Sequence, residues 1–243
     1  MVVIKLDATD STNRYLKKML VHGPLADFTV VTCRHQTNGR GQMGTTWIAE
    51  KDKNLTFSIL KKLTNFNVSY QFQLSCLVSL GIYKILSALS IPNLSLKWPN
   101  DIMSGNQKIC GILIENILKG GFIQMSIIGI GLNVNQTQFE NLDKVASLKQ
   151  LQGKAFDLDN LLMQIVQQLE ISLKNYKPSQ WGEIKPTYEN LLFKIGQPCT
   201  FKDKEGHNFM GIIKGINDAG QLLVALENDE IQLYGYKEIK MLY

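Results

Sequence analysis

The sequence predicts an α+β protein: a mixed, largely antiparallel sheet with helices packed on it, followed by a small β-barrel. Apolar runs rich in β-branched residues recur through the first half at strand length. Stripes of helical period lie between and after them. From about Gly196 the texture changes to short, evenly spaced strands separated by turn residues.

The elements follow in order. Asp10-Ser11-Thr12 offers N-caps ahead of an amphipathic stretch through Tyr15, Leu16, Met19 and Leu20. Phe28–Cys33 and Leu55–Leu60 read as strands. Between about Ser69 and Leu89, the residues Phe72, Leu77, Leu80, Ile85 and Leu89 make a long apolar face, and Ile91-Pro92 ends it. Leu94–Trp98, Ile109–Ile114 and Phe122–Ile130 are further strands, the last two joined by a glycine turn within 116–121. Asp157 caps a helix whose Leu158, Leu161, Leu162, Ile165, Val166 and Leu169 recur at helical spacing. Trp181–Leu192 is another helix. Pro198–Phe201, Gly211–Lys214, Leu222–Ala225 and Ile231–Tyr234 are the short strands of the barrel. The predicted division is therefore a main unit over 1–193 and a small unit over 194–243.

Composition excludes several classes. Apolar residues are 44% and charged residues 19%, a globular balance. No apolar run approaches the roughly 20 residues of a membrane span, and Lys5 and Asp7 interrupt any leader-like core. A cytoplasmic protein without membrane contact is expected. Cys33, Cys76, Cys110 and Cys199 lie far apart and suit reduced thiols filling core space. The net charge of +5 is dispersed, which suits anionic partners without marking a nucleic-acid binder.

Several segments carry chemistry. Gly39-Arg40-Gly41 lies in a glycine-rich loop, 36–44, that follows a strand. Such backbone can cradle an anion, and a fixed guanidinium can pair with carboxylate or phosphate. It is neither a Walker loop nor a dinucleotide fingerprint. Taken alone, its composition favours a surface turn with a solvated arginine. Lys97-Trp98-Pro99-Asn100-Asp101 puts a lysine and a carboxylate at one strand end, where Asp101 could hold Mg²⁺; a plain turn explains the same residues. Lys108 opens an apolar strand, either as a solvated charge or as a group entering a site where Gly111 leaves room. Gly129-Ile130-Gly131-Leu132-Asn133 is equally a bulge, or a close backbone approach with an amide able to read a purine edge.

The order and spacing of these segments are more specific than any one of them. Asp-Ser-Thr-Asn (10–13), Gln-x-x-Gly-Arg-Gly (36–41), Lys-Trp-Pro-Asn-Asp (97–101), Lys-x-x-Gly-Ile-Leu-x-Glu (108–115) and Gly-x-Gly-x-Asn (129–133) together resemble the biotin protein ligases, or biotin–acetyl-CoA-carboxylase ligases. The likeness runs from about residue 7 to the end and includes Ser147-Leu148 and the small C-terminal unit, which the resemblance implies is an SH3-like barrel.

The resemblance implies that biotin and ATP give biotinyl-5′-adenylate and pyrophosphate, and that the adenylate then acylates a lysine of a biotin carboxyl carrier protein. It implies that Ser11, Thr12, Asn13, Gln36, Gly39, Arg40, Gly41, Lys108 and Gly111 bind biotin. Arg40, Gln42, Trp47, Lys97, Asn100, Asp101, Lys108 and Asn133 would serve the nucleotide, Trp47 against the adenine side and Asn133 on the purine. Lys108, Arg40 and Asp101 would carry the chemistry, with Mg²⁺ at Asp101. A mobile glycine loop would cover the reactive anhydride.

This sequence departs from the pattern at Gln42 and Thr45, where many relatives carry arginines, so Arg40 works with less cationic support. Repressor members carry a helix-turn-helix ahead of Ser-Thr-Asn; the ten residues here are too few, and no DNA binding is expected. Monomer and sheet-edge homodimer are both compatible with the pattern. The rival readings are a lipoate or octanoate ligase and a non-catalytic biotin or nucleotide sensor.

Overall fold

The computed structural model describes residues 1–140, 142–174 and 176–243. The chain runs β1 (Val2–Thr9), α1 (Thr12–His22), β2 (Thr29–Gln36), β3 (Gly39–Arg40), β4 (Thr46–Trp47), β5 (Leu55–Asn67) and α2 (Gln71–Ala88). It continues through β6 (Leu94–Lys97), β7 (Asp101–Ser104), β8 (Gln107–Lys119), β9 (Phe122–Leu132), α3 (Leu148–Gln152), α4 (Leu158–Lys174) and α5 (Trp181–Asn190). Last come β10 (Pro198–Asp203), β11 (Asn208–Ile216), β12 (Leu222–Ala225), β13 (Ile231–Tyr234) and β14 (Ile239–Leu242).

Among the described residues, seven strands form one sheet in the order β1-β2-β5-β9-β8-β7-β6. β1 and β2 are parallel and the other neighbours antiparallel, the mixed sheet that the sequence predicts. Period-two alternation decides what each face does. On β5, Phe57 and Ile59 enter the main core with Ile128 and Ile130 of β9, beneath α2 and α4. Leu60 and Ile127, on the opposite face, join Leu16 and Val31 in a smaller cluster under α1. Thr56 and Ser58 lie on that second face as well, and they leave it polar.

The helices form where their apolar periodicity places them. Asp157 accepts a hydrogen bond from the Asn160 N–H at 2.7 Å and so caps α4. Leu161, Leu162, Ile165, Val166, Leu169 and Leu173 of that helix are buried. The four cysteines are buried and free. Burial pushes the Cys76 and Cys110 thiols well above their ordinary value, which leaves them protonated filler.

Six elements were not expected from the sequence, two of them the short strands β3 and β4 around the glycine loop. Lys5 and Asp7, which argue against a leader, are exposed positions of β1. Asp101, for which the sequence left a turn open, begins β7, whose register pairs it with Lys97. The short helix α3 is held by a capping box between Ser147 and Gln150. The last is β14 (Ile239–Leu242).

The C-terminal strands form an antiparallel sheet in the order β13-β12-β11-β10-β14. The sequence predicts a barrel there. Among the described residues no ladder joins β13 to β14, so hydrogen bonding does not close the sheet. Each end strand has only four residues, too little length to wrap around and pair.

This sheet packs on the main unit through both hydrogen bonds and core contacts. The Trp98 indole N–H donates to the Gly220 carbonyl at 2.8 Å, and the Ile216 N–H donates to Glu189 at 2.9 Å. Phe201 and Val224 belong to the same continuous core as Phe72 and Tyr188. The chain between the units also covers a sheet edge: Leu96 N–H donates to Leu191 O at 2.7 Å, and Phe193 N–H to Leu96 O at 2.8 Å. No helix among the described residues is long and apolar enough to cross a membrane.

Leu169 is fully buried on α4 beneath α2, next to Gly81. Truncation there leaves a cavity that close-packed neighbours cannot refill. Leu169→Ala should therefore cost about 2–5 kcal/mol of unfolding free energy. Urea unfolding at constant slope checks this; an unchanged midpoint would refute the packing.

Candidate active site

The polar second face of the large sheet is open between α1 and the C-terminal sheet. A cavity of about 530 Å³ lies there, a size that suits a small molecule. Its floor is β9 and β8, in a register that pairs Gly131 with Gly111 and Gly129 with Leu113. The Trp47 indole lies directly on Gly131, and the Asn13 amide lies on Gly129; a Cβ at either position would collide with them. Bare backbone is what lets these groups, or a ligand, approach the sheet.

Strand order spreads the wall groups along the cleft. Neighbouring strands are about 4.8 Å apart, so the five spacings from β2 to β6 span on the order of 20 Å. At the β2 end the groups are uncharged. Ser11 precedes α1, and its side chain makes no capping bond. The Thr12 N–H donates to Gln36 Oε1 at 2.9 Å. Ser58 Oγ, fully buried on β5, lies 2.7 Å from Thr12 Oγ1 and donates to Asn13 Oδ1 at 2.6 Å.

The glycine loop forms the lid of the middle section. It is a small hairpin: Gly39 pairs with Trp47 and Arg40 with Thr46, around a 3-10 turn at Gln42–Gly44. The Gly41 N–H donates to Thr45 O at 2.7 Å, and Thr45 Oγ1 donates to Gln42 O at 2.8 Å. Arg40 Nη2 is 3.5 Å from Glu115 Oε1. Glu115 also accepts from Lys17 Nζ at 2.7 Å and from Asn13 Nδ2 at 2.8 Å. Burial raises the Glu115 pKa, but the bonds from Lys17 and Asn13 outweigh it and hold the carboxyl below its ordinary value.

The β6 end is cationic. Lys108 Nζ is 2.6 Å from Asp101 Oδ1 and 5.6 Å above the Trp47 ring. Burial holds the Lys97 ammonium below its ordinary value, with Asp101 opposing and Lys108 reinforcing the shift. The Tyr243 ring lies 4.7 Å from Lys97 Nζ and 4.5 Å from Lys144 Nζ.

Most residues expected at the site line this one cleft: Ser11, Thr12, Asn13, Gln36, Arg40, Gly41, Gln42, Trp47, Lys97, Asn100, Asp101, Lys108 and Gly111. Gly39 stands behind them as the hairpin partner of Trp47. Asn100 has its amide engaged, donating to Ile112 O at 2.8 Å. Asn133 is not on the wall: it is 2% exposed and donates to Ala146 O at 3.3 Å. Sequence reasoning passed over Ser58, Lys144, Tyr236 and Tyr243, and attached no role to Glu115. Glu115 does carry a signal, as the last residue of Lys-x-x-Gly-Ile-Leu-x-Glu. The tyrosines carry none, because only tertiary packing brings the C-terminal sheet to the cleft.

The arrangement presents a neutral hydrogen-bonding end, an aromatic middle and a cationic end. It can hold an elongated molecule with a polar uncharged head and an anionic tail, with lysines where negative charge gathers. Among the described residues no cluster of three or more His, Cys, Asp or Glu could cage a metal ion. Asp101 is the carboxylate at the cationic end. A single carboxylate fits a Mg²⁺ held mainly by phosphate oxygens and water.

The profile of the Biotin/lipoate A/B protein ligase family matches residues 6–133, more than half of the chain. That of the Biotin protein ligase C terminal domain matches residues 194–236. The chain is 27% identical over 236 residues to the Bifunctional ligase/repressor BirA of Bacillus spizizenii, covering 96% of this chain and 72% of that protein. It is 29% identical to the Biotin--[acetyl-CoA-carboxylase] ligase of Mycobacterium tuberculosis, covering 88% of this chain and 79% of that one. The structure superposes on the biotin protein ligase of Aquifex aeolicus in complex with biotin and ATP with a TM-score of 0.82. The identity there is 27%, over 99% of this chain and 98% of that one.

The depressed Glu115 carboxyl has a consequence for stability. A carboxylate bound more tightly as the anion in the native state stabilises the fold above its unfolded value, near 4.5. That contribution is lost as the pH falls through the lower native value. Glu115→Gln should therefore be less stable than the parent at pH 7. The gap should narrow below about pH 4.5 and close under more acid conditions. Urea midpoints across that range test it; a constant gap would refute the ionic account.

Proposed function

Since this chain belongs to the biotin/lipoate A/B protein ligase family, we propose that it is a biotin ligase. It activates biotin with ATP and transfers the biotinyl group to one lysine of a biotin carboxyl carrier domain. The observation that carries this reading is the polarity of the cleft, neutral and hydrogen-bonding at Thr12 and Gln36, cationic at Lys97 and Lys108. Biotin has a cyclic urea at one end and a carboxylate at the other, and ATP supplies the anion that the lysines suit. A lipoate head is an apolar disulfide ring. It would offer the polar groups around Ser11, Thr12 and Gln36 no hydrogen-bonding partner of its own, whereas a cyclic urea offers both a donor and an acceptor.

The urea would sit among Ser11, Thr12, Asn13 and Gln36, and the valeryl chain over Gly111 and the floor beneath Trp47. Arg40 and Gly41 would hold the carboxylate and α-phosphate, with Gln42 beside them. In the first step a carboxylate oxygen attacks the α-phosphorus and pyrophosphate departs. Lys108, fixed by Asp101, would stabilise the charge that develops on the phosphoryl oxygens. Mg²⁺, arriving with the nucleotide, would neutralise pyrophosphate and make it a better leaving group. Lys97, Asn100 and Asp101 would serve the triphosphate end. Asn133 would have to exchange its Ala146 contact for the purine edge.

In the second step the neutral amine of the carrier lysine attacks the acyl carbon, and AMP leaves. Asp101 would orient or deprotonate that amine. The hairpin 39–47 would shield the anhydride from water. Units 1–193 and 194–243 would act together, the second contributing its open five-stranded sheet to the cleft wall. The reaction belongs in the cytoplasm, where carrier and ATP meet.

Biotin-dependent ATP–pyrophosphate exchange tests the reading: no exchange from folded protein refutes it. Lys108→Ala should lower the exchange rate by about 10²–10³-fold. Exchange at the parental rate in Lys108→Ala and Arg40→Ala would remove both residues from the mechanism. Gln42→Arg adds a cation beside the phosphate, so it should slow adenylate release in a chase experiment; an unchanged off-rate would count against that role. Thermal stabilisation should be larger with biotin than with lipoate, each with ATP, and the reverse order would favour a lipoate ligase.

A further inference from the structure

Trp98 stands between Lys97 and Asn100-Asp101, yet nothing in the proposed reaction calls on it. Lys97 and Asp101 are partners at the facing ends of β6 and β7, so Trp98, Pro99 and Asn100 form the turn that joins them. That turn is held on two sides. On one side Asn100 is tied to β8: its amide donates to Ile112 O at 2.8 Å, and the Ile112 N–H donates back to Asn100 O at 3.0 Å. On the other side the half-buried Trp98 reaches the C-terminal sheet. Its indole N–H donates to Gly220 O at 2.8 Å, and the Tyr236 ring packs 5.4 Å from it.

The acceptor belongs to a pinned turn, residues 217–221, which joins β11 to β12. Asn217 and Gln221 close it. The Asn217 N–H donates to Gln221 O at 3.0 Å, its amide donates to Gln221 Oε1 at 2.8 Å, and the Gln221 N–H donates to Asn217 Oδ1 at 2.9 Å. From outside, Trp181 at the start of α5 donates its indole N–H to Asp218 Oδ1 at 3.0 Å. From beneath, the buried Gly220 lies on Phe72 of α2. A Cβ there would collide with that ring, and the φ of +84° is one that glycine alone adopts freely. An acceptor held from three directions cannot follow its donor, so Trp98 takes its position from the turn.

We propose that Trp98 is a positioning residue: through its bond to Gly220, the 217–221 turn of the C-terminal sheet fixes the nucleotide end of the cleft. The inference rests on the biotin-ligase reading. A shift of Trp98 moves Lys97 beside it and Asp101 across the turn, and with Asp101 the Lys108 ammonium 2.6 Å from that carboxylate. Thr12 and Gln36 lie at the other end of the trough, on the order of 20 Å away, and are held by α1 and β2 instead. Loss of the bond should therefore weaken the grip on nucleotide and spare the biotin head group.

The test joins pyrophosphate exchange to equilibrium binding of biotin alone, both on the full chain. Trp98→Phe removes the N–H and keeps a ring for Tyr236. It should raise the ATP KM roughly three- to tenfold. The dissociation constant for biotin should stay within about twofold. Gly220→Ala displaces the acceptor and should have the same effect, and in a Trp98→Phe background it should add nothing, because one bond is already cut. If Gly220→Ala does not fold, Asp218→Ala loosens the turn at an exposed side chain outside the cleft, and it too should raise the ATP KM only where Trp98 is present. An unchanged ATP KM in Trp98→Phe overturns the proposal. So do additive losses, and so does a biotin constant weakened by the same factor as the ATP KM, the mark of a general loosening. A parent protein with no biotin-dependent exchange would instead overturn the reading beneath. Any of the other adverse outcomes in an active parent overturns the role of Trp98 alone.

Discussion

The cleft depends on a sheet that is dense on one face and bare on the other. β5 and β9 send Phe57, Ile59, Ile128 and Ile130 into the core under α2 and α4, where burial supplies most of the favourable energy. The same strands present Thr56, Ser58, Gly129 and Gly131 to the opposite face, and there the indole of Trp47 and the amide of Asn13 rest on the backbone. A one-residue slip in register would exchange the faces and fill the cleft with isoleucine. The ten-pair ladder between β8 and β9 is thus as much a part of the site as the side chains above it.

Sheet order then does the work of a ruler. Groups far apart in sequence, Gln36 on β2 and Lys97 on β6, become opposite ends of one trough. The polar gradient along it follows from which residue each strand carries at the position facing the trough. The cations at the far end hold one another in check: Lys108 is paired with Asp101, and Lys97 is disfavoured as an ammonium by burial. Anionic substrate would relieve that disfavoured charge, which is a physical reason for nucleotide to bind there. Arg40 stands between the two ends, resting on Glu115.

Glu115 ties the parts together. It anchors α1 through Lys17, the hairpin through Arg40 and the buried hydrogen-bond chain through Asn13. With three such partners the carboxylate stays ionised in a half-buried position where an unpaired one would be costly. Gln42 and Thr45 place no second cation near this junction, so Arg40 alone bridges the wall and the place where a carboxylate would lie.

Much of this was legible in the linear pattern because it depends on local physics. Alternation of Leu55 through Leu60 predicts a two-faced strand, and the stripe from Leu158 to Leu169 predicts its helix. Ordered motifs from Ser11 to Asn133 predict the family and most of the cleft lining. What stayed hidden depends on non-local contacts. Asn133 bears the expected amide, but its burial beneath Ala146 appears only when the chain packs. For Asp101 the sequence left a plain turn and a strand-end carboxylate both open, and its pairing with Lys97 at the start of β7 appears only in the folded sheet. The C-terminal strands were readable, whereas their open order and their seat on Trp98 were not. Above all, no sequence period links Glu115 to Asn13, Ser58 and Thr12. They meet only because α1 lies across the bare face of the sheet and brings Thr12 and Asn13 onto Ser58 and Glu115.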